Sequence, residues 1–230
     1  MVITEIGRMG VKPGIDIMDE SKTEGTVLSK AYNTVTVIEG GPYRAFWGLE
    51  EENPLMAWAF FDFDSVEHHE TFAKLHGAEI SKDFPTVLTH GEFVKHLALT
   101  ASSAAALRAP LSEIVFIHFP GDLSADDKEL IVQQLEHTVD KNVSKSPGIA
   151  AISWGWSVEN DFPVVGTKEQ SGSVLALIIG WSGITSQKSF HETTHWKAVK
   201  SEICEMKRIV TVTGLSISCH SSERKEVQDN

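Results

Sequence analysis

Imidazole is the side chain whose unperturbed pKa sets proton exchange near neutral pH, and four of the ten histidines in this chain stand where a base could work: His118, His191, His195 and His96. In the apolar run 111–119 alternate residues point to opposite sides of a strand, so Ile114, Phe116 and His118 share one face while Val115, Ile117 and Phe119 share the other. His96 alternates with Lys95 in the run 93–99 in the same way. Either is a candidate base for a strand-lined cavity, and either is equally an exposed polar position. His191 and His195 have the i, i+4 spacing of one helix face. Trp196, Val199, Ile203 and Met206 form the apolar arc beside them, with His195 at its edge and expected to be partly buried. A neutral imidazole there could abstract a phenolic or activated C–H proton; the competing reading is a histidine bonded to a nearby backbone carbonyl. The same spacing fits a metal pair, yet no third ligand follows at a fixed interval, so no metal is expected. His69 and His76 fall on the core-facing arc set by Val66, Phe72 and Ile80, where satisfied structural histidines are common; His76 is also a candidate substrate contact.

The remaining candidates are indoles: Trp47, Trp154, Trp156, Trp58 and Trp181. Trp154 and Trp156 lie on one face of a strand, and the small residues Ser153, Gly155 and Ser157 on the other. Two accounts stand. The indoles either pack beneath helices as core, leaving the small face open to a ligand, or stack on a planar substrate. The chain has no phosphate-cradling glycine loop, flavin or nicotinamide fingerprint, Gly-x-Ser-x-Gly elbow or paired-Cys metal site. No cofactor is therefore expected, and if the protein is an enzyme its substrate must supply much of the reactivity. An electron-rich anthrone or phenol, deprotonated in a dry pocket, can pass an electron to oxygen while the protein supplies a base, donors for the oxyanion and exclusion of water.

These residues need a frame, and the chain writes it twice. Phe46-Trp47-Gly48-Leu49-Glu50-Glu51-Glu52-Asn53 returns as Ser153-Trp154-Gly155-Trp156-Ser157-Val158-Glu159-Asn160, and Ile3-Thr4-Glu5-Ile6-Gly7-Arg8-Met9 is answered by Leu111-Ser112-Glu113-Ile114-Val115-Phe116-Ile117, the pattern of a tandem duplication. Each half reads strand, helix, strand, strand, helix, strand. Capping-box starts at Ser21-Lys22-Thr23-Glu24 and Ser124-Ala125-Asp126-Asp127 open the first helices, and Gly40-Gly41-Pro42 and Pro147-Gly148 stop them. The order is that of the split strand-helix-strand, ferredoxin-like βαββαβ unit, an α+β fold. Two such units, 1–100 and 111–219, joined by a linker at 101–110 and followed by a polar tail at 220–230, are predicted to set their sheets face to face as an intramolecular, pseudo-dimeric α/β barrel around a central cavity. Residues 161–172 add a loop to the second half, where a lid or binding loop is expected.

Gly180-Trp181-Ser182 followed by Ser189-Phe190-His191-Glu192-Thr193-Thr194-His195 resembles the strand-end Trp and helix His signature of antibiotic-biosynthesis-monooxygenase-like proteins of the dimeric α/β-barrel superfamily, here in a tandem-duplicated, fungal-type form. Both halves share the element order, so the resemblance extends over nearly the whole chain. That superfamily includes cofactor-independent monooxygenases of aromatic polyketides, haem-degrading enzymes, polyketide cyclases, decarboxylases and stress-response proteins, so the resemblance implies a fold more firmly than a reaction. The first half departs from the signature: Ala73 stands where the second has His191, and His76 is one residue away from matching His195. The resemblance therefore directs the chemistry first to the second half.

A net charge of -12 over 230 residues, with Lys and Arg scattered, excludes a phosphate-backbone ligand, and nucleic acid is not an expected partner. No run of about 18 apolar residues is present to span a bilayer and the N-terminus lacks a secretory pattern, so no membrane partner and a cytoplasmic location are expected. The chain is read as a monomeric pseudo-dimer, or a homodimer of it, that binds a hydrophobic small molecule. The leading expectation is a cofactor-independent enzyme acting on an aromatic or polycyclic secondary metabolite, most simply a monooxygenase. The alternatives are a polyketide or terpenoid cyclase or isomerase, pericyclic chemistry included, in the same cavity, and a non-catalytic small-molecule-binding or stress-response barrel.

Overall fold

The computed structural model describes residues 2–144, 146–167 and 169–224. They form two compact units, residues 2–96 with 219–224, and residues 97–218. In the first unit β1 (Ile3–Val11) leads through α1 (Thr26–Val35) to the hairpin of β2 (Arg44–Leu49) and β3 (Met56–Phe63), then through α2 (Val66–Ile80) and the single turn α3 (Phe84–Val87) to β4 (Leu88–Leu99). The sheet order is β2-β3-β1-β4, and β1, β2 and β3 pair antiparallel. This is the ferredoxin-like order, in which the two outer strands of a split strand-helix-strand unit flank the inner pair. Odd-numbered residues of β1 face the helices: Met9 and Val11 pack with Ala57, Ala59, Phe61 and Phe63 of β3 and with Leu28, Tyr32 and Val35 of α1. The spacing 28, 32, 35 follows the helical repeat and buries one face of α1.

The capping box expected at Ser21 does not start α1. The Ser21 N–H and hydroxyl both donate to Asp19 Oδ1, at 3.1 and 2.6 Å, and the helix begins at Thr26 behind Gly25 with no side-chain cap. A local aspartate turn has outcompeted the cap for the same serine. At the other end α1 stops at Val35 with Thr36 as its C-cap, ahead of the expected Gly40-Gly41-Pro42 stop; Gly40 takes φ +74°, a conformation that favours glycine, in the turn that follows. α2 starts at Ser65, whose hydroxyl accepts from His68 N.

The second unit repeats the order. The short α4 (Ala104–Leu107) precedes β5 (Leu111–Phe119), α5 (Ala125–Asn142), β6 (Ile149–Ser157), the two-residue β7 (Phe162–Pro163), β8 (Ser171–Trp181), α6 (Ile184–His191), α7 (Thr194–Cys204) and β9 (Thr211–Ile217). Its strands run β6-β8-β5-β9, antiparallel, and Leu97–Leu99 of β4 pair with β6. Gly155, centre of the Trp-Gly-Trp segment, makes that pairing possible, because a Cβ there would stand 2.0 Å from Ala98 O. The Ala-rich stretch expected as a linker is packed: Ala104, Ala106 and Leu107 are buried. The added loop is anchored near its start. Phe162 pairs with Gly172 and is fully buried, its ring 5.5 Å from that of Phe116. The helix expected to carry both His191 and His195 is broken at Glu192–Thr193, where the Thr193 hydroxyl caps α7 by accepting from Trp196 N.

The stretch expected to be a polar tail begins as a strand, β10 (His220–Glu223), which pairs antiparallel with β2 in the first unit; residues 225–230 lie outside the described residues. The strand orders are open, since β10 pairs only with β2 and β9 only with β5 among the described residues, so hydrogen bonding does not close the sheet into the barrel expected from the repeat. No helix among the described residues is long and apolar enough to cross a membrane.

Candidate active site

The site starts from a carboxylate on a buried strand. Glu5 lies on the helix-covered face of β1, two residues before Gly7, and Gly7 pairs across the sheet with Ala59. On the facing helix α2, Ala73 and Gly77 present equally little bulk. Four small residues on two opposed walls leave a hollow of about 560 Å³, walled by Phe61, Phe72 and Phe84, with Glu5, Arg8, Tyr32, His69, Ser81 and Glu92 as its polar groups. That volume and the apolar lining suit a small-molecule ligand. The equivalent floor of the second unit carries Val115 paired with Leu177, both buried in its core, where the first unit has Gly7 and Ala59. The two sheets share a frame and differ by the side chains that fill it.

Glu5 is 9% exposed, and burial pushes its carboxyl up to about 8, because the charged form loses its hydration. His69 Nε2 stands 3.2 Å from Glu5 Oε2, and His69 Nδ1 stands 2.8 Å from His96 Nε2. The three groups form a file running away from the hollow. With Glu5 ionised, His69 donates from Nε2 to the carboxylate and its Nδ1 accepts from His96. With Glu5 protonated, the carboxyl donates to Nε2 and the Nδ1–H donates to His96. Two hops in step, from His96 Nε2 to His69 Nδ1 and from His69 Nε2 to Glu5, with one proton taken up at His96 Nδ1, reverse both bonds with no displacement of heavy atoms. Arg8 and Glu92 also line the hollow: Arg8 donates from Nε to Glu50 Oε1 at 2.8 Å and pairs with Glu92, and Trp58 Nε1 donates to the same Glu50 oxygen at 2.7 Å. In this network one guanidinium serves two carboxylates and ties β1 to the β2–β3 hairpin and to β4.

The second unit carries a related group without the hollow. Glu113, matching Glu5 in the repeat, accepts from Trp181 Nε1 at 3.0 Å, and His191 Nε2 lies 3.0 Å from its other oxygen. The His191 ring stacks on Trp196, with centroids 4.3 Å apart and an interplanar angle of 8°. In the first unit Phe63 occupies the Trp181 position, so Glu5 receives no indole donor.

Of the candidate bases from the sequence, only His96 enters the file at the hollow. His191 meets Glu113 instead, and His195 is exposed on α7, 3.5 Å from Asn142 Oδ1, because the helix break turns it outward. His118 is 1% exposed; its Nε2 lies 3.0 Å from Thr213 Oγ1 and its Nδ1 has no partner among the described residues. Burial lowers its pKa to about 4, which keeps it neutral at physiological pH. Trp154, Trp156 and Trp181 pack into the helix-covered core of the second unit, Lys128 Nζ lying 5.1 Å from the centre of the Trp156 ring. Trp47 packs against Tyr32 in the first unit, and Trp58 is fully buried beside Phe60. His76 touches Phe72 but lines a separate groove between α1 and α2. Glu5, Tyr32 and the role of His69 were not singled out from the sequence. The available signal was a glutamate at the same place in both apolar opening strands, Glu5 and Glu113. Among the described residues no three His, Cys, Asp or Glu side chains converge as metal ligands would.

No family model matches the chain, and no curated protein matches its sequence. Solved structures match the fold. An anthrone oxidase-like protein aligns with a TM-score of 0.69 at 9% identity, over 98% of this chain and 94% of that one. Monooxygenase-like proteins of Fusobacterium nucleatum and Lactobacillus acidophilus align with TM-scores of 0.62 and 0.59 at 10% and 11% identity, each over 97% of this chain and 94% and 96% of their own. At these identities the likeness speaks for the fold alone: from end to end, this chain is built like anthrone oxidase-like and monooxygenase-like proteins.

Proposed function

We propose that the protein is a cofactor-independent enzyme acting on a hydrophobic aromatic or polycyclic metabolite, most simply a monooxygenase, with its chemistry in the hollow of the first unit. The observation that carries this reading is the buried Glu5–His69–His96 file at the wall of an aromatic-lined cavity of about 560 Å³. A carboxylate whose pKa is raised by burial is a stronger base than one in water, and it suits a weakly acidic C–H or phenolic O–H. In the proposed reaction Glu5 takes a proton from a ring CH₂ next to a carbonyl-bearing ring, and the resulting carbanion passes one electron to O₂. The radical pair joins through a C–O bond, and the peroxide loses water as its remaining C–H proton departs. The CH₂ becomes C=O, one oxygen atom stays in the product and the other leaves as water, so the substrate supplies all four electrons and no cofactor is required.

The anthrone oxidase-like fold neighbour supports the choice of a tricyclic ketone as first probe, and the repeated element order supports reading both units as copies of one ancestral unit. The test is incubation of the purified protein with anthrone under ¹⁸O₂, with product masses compared between wild type and Glu5→Gln. Labelled anthraquinone formed above the uncatalysed rate, and lost in the variant, bears the reading out. A product of unchanged mass assigns the same base to a cyclase or isomerase. Binding without turnover on a panel of such ketones and phenols points to a carrier.

A further inference from the structure

We infer that Tyr32 fixes the ligand's orientation in the first-unit hollow, its hydroxyl donating a hydrogen bond to a carbonyl or phenolic oxygen of a planar polycyclic ligand. The inference rests on the proposed function and narrows it to aryl ketones and phenols. α1 places Tyr32 on its buried face between Leu28 and Val35, and the residue is 3% exposed. Three aromatic rings hold it edge-on, Trp47 at 5.3 Å, Phe61 at 5.0 Å and Phe84 at 5.9 Å between centroids, so the phenol ring has one position available. Its hydroxyl nevertheless has only Met9 Sδ within reach among the described residues, at 3.8 Å. A thioether is a weak acceptor, and a buried tyrosine hydroxyl ordinarily finds a strong one. Here a tightly packed residue that lines the hollow carries a donor whose bonding capacity is largely unused.

The neighbours of that donor say what would use it. Tyr32 and Glu5 line the same cavity; burial, with the Glu5 charge adding to it, raises the phenol's pKa beyond its usual range, so Tyr32 stays a donor and never serves as the base. A planar ligand between the Phe walls would thus meet a donor and a base across one aromatic face. An oxygen brought out of water into this hollow recovers its hydrogen bond at Tyr32, whereas a hydrocarbon of the same shape leaves the hydroxyl as it is in the empty site. As Glu5 removes the proton, negative charge moves onto the ligand oxygen, and a donor already fixed beside it stabilises the enolate or phenolate without reorganising.

The test uses a matched pair differing only at that oxygen, 9-fluorenone and fluorene, with equilibrium dialysis of wild type and Tyr32→Phe. Expected are tighter binding of fluorenone than fluorene to the wild type, and a loss of about tenfold in fluorenone affinity in the variant with fluorene unchanged. The variant should keep the wild-type melting temperature, since the hydroxyl has no strong partner to lose. Equal changes for both ligands, or none for either, would overturn the role of Tyr32 while leaving the aromatic hollow in place. If neither compound binds the wild type, the aromatic-ligand reading of the hollow falls, and the role of Tyr32 falls with it.

Discussion

Two carboxylates at matching places in the repeat, Glu5 and Glu113, differ in what their neighbours offer. Glu113 accepts a hydrogen bond from Trp181, while Glu5 faces Phe63 at that position and has His69 at 3.2 Å. Burial is what lifts the Glu5 carboxyl to about 8, from 4.5 in the unfolded chain. Because only the ionised form can accept a proton, kcat/KM for anthrone should climb with pH through about 8 and level off above it; Glu5→Gln should lower the rate by about 10²- to 10⁴-fold and erase that titration. The same group fixes a stability trend. Between 4.5 and about 8 the folded chain holds a proton that the unfolded chain has released, so stability falls as pH rises across this window, and Glu5→Gln should flatten the fall in urea titrations at successive pH values. The histidines were visible in the sequence because their type advertises proton transfer. Glu5 was quiet, since a lone acidic residue in an apolar strand reads as an interruption until its partners are known.

At the scale of elements, strand alternation and the fourfold spacing of Ile131, Leu135 and Val139 were legible, and those three residues pack in the core of the second unit. Two local features were not legible. The aspartate turn that captures Ser21 competes with a cap on equal terms, and the break at Thr193 depends on a second capping serine-like residue inside a pattern otherwise continuous. The hollow itself needs the cross-strand pair Gly7 and Ala59 opposite Ala73 and Gly77, four residues from three elements whose adjacency only the folded register creates. A Cβ on Gly7 would meet Phe93 O at 3.8 Å and Val94 Cγ2 at 4.0 Å, which is ordinary contact. Gly7→Val, giving the first unit the residue found at Val115, should therefore fold with a melting temperature at or above the wild type and lose measurable fluorenone binding. Retained affinity would mean that the ligand sits elsewhere.

For the molecule as a whole, the internal repeat announced two ferredoxin-like units, and each unit has that strand order. What the element order could not announce is which unit is hollow, because side chains at a few floor positions decide it, nor that residues past 219 supply β10 to the first unit. β10 covers the edge of β2, and Ser222 bonds Thr36 at 2.9 Å. A chain ending at Ser218 should lose several hydrogen bonds at about 1 kcal/mol each and melt several degrees lower, with weaker fluorenone binding; an unchanged melting temperature would deny β10 a structural part. The most direct measurement of the central claim compares Glu5→Gln with Glu113→Gln in anthrone turnover, both checked for folding by circular dichroism. Chemistry in the first unit requires that Glu5→Gln abolish turnover and Glu113→Gln retain most of it. The reverse pattern would return the active site to the second unit and contradict the account given for Glu5, His69 and His96.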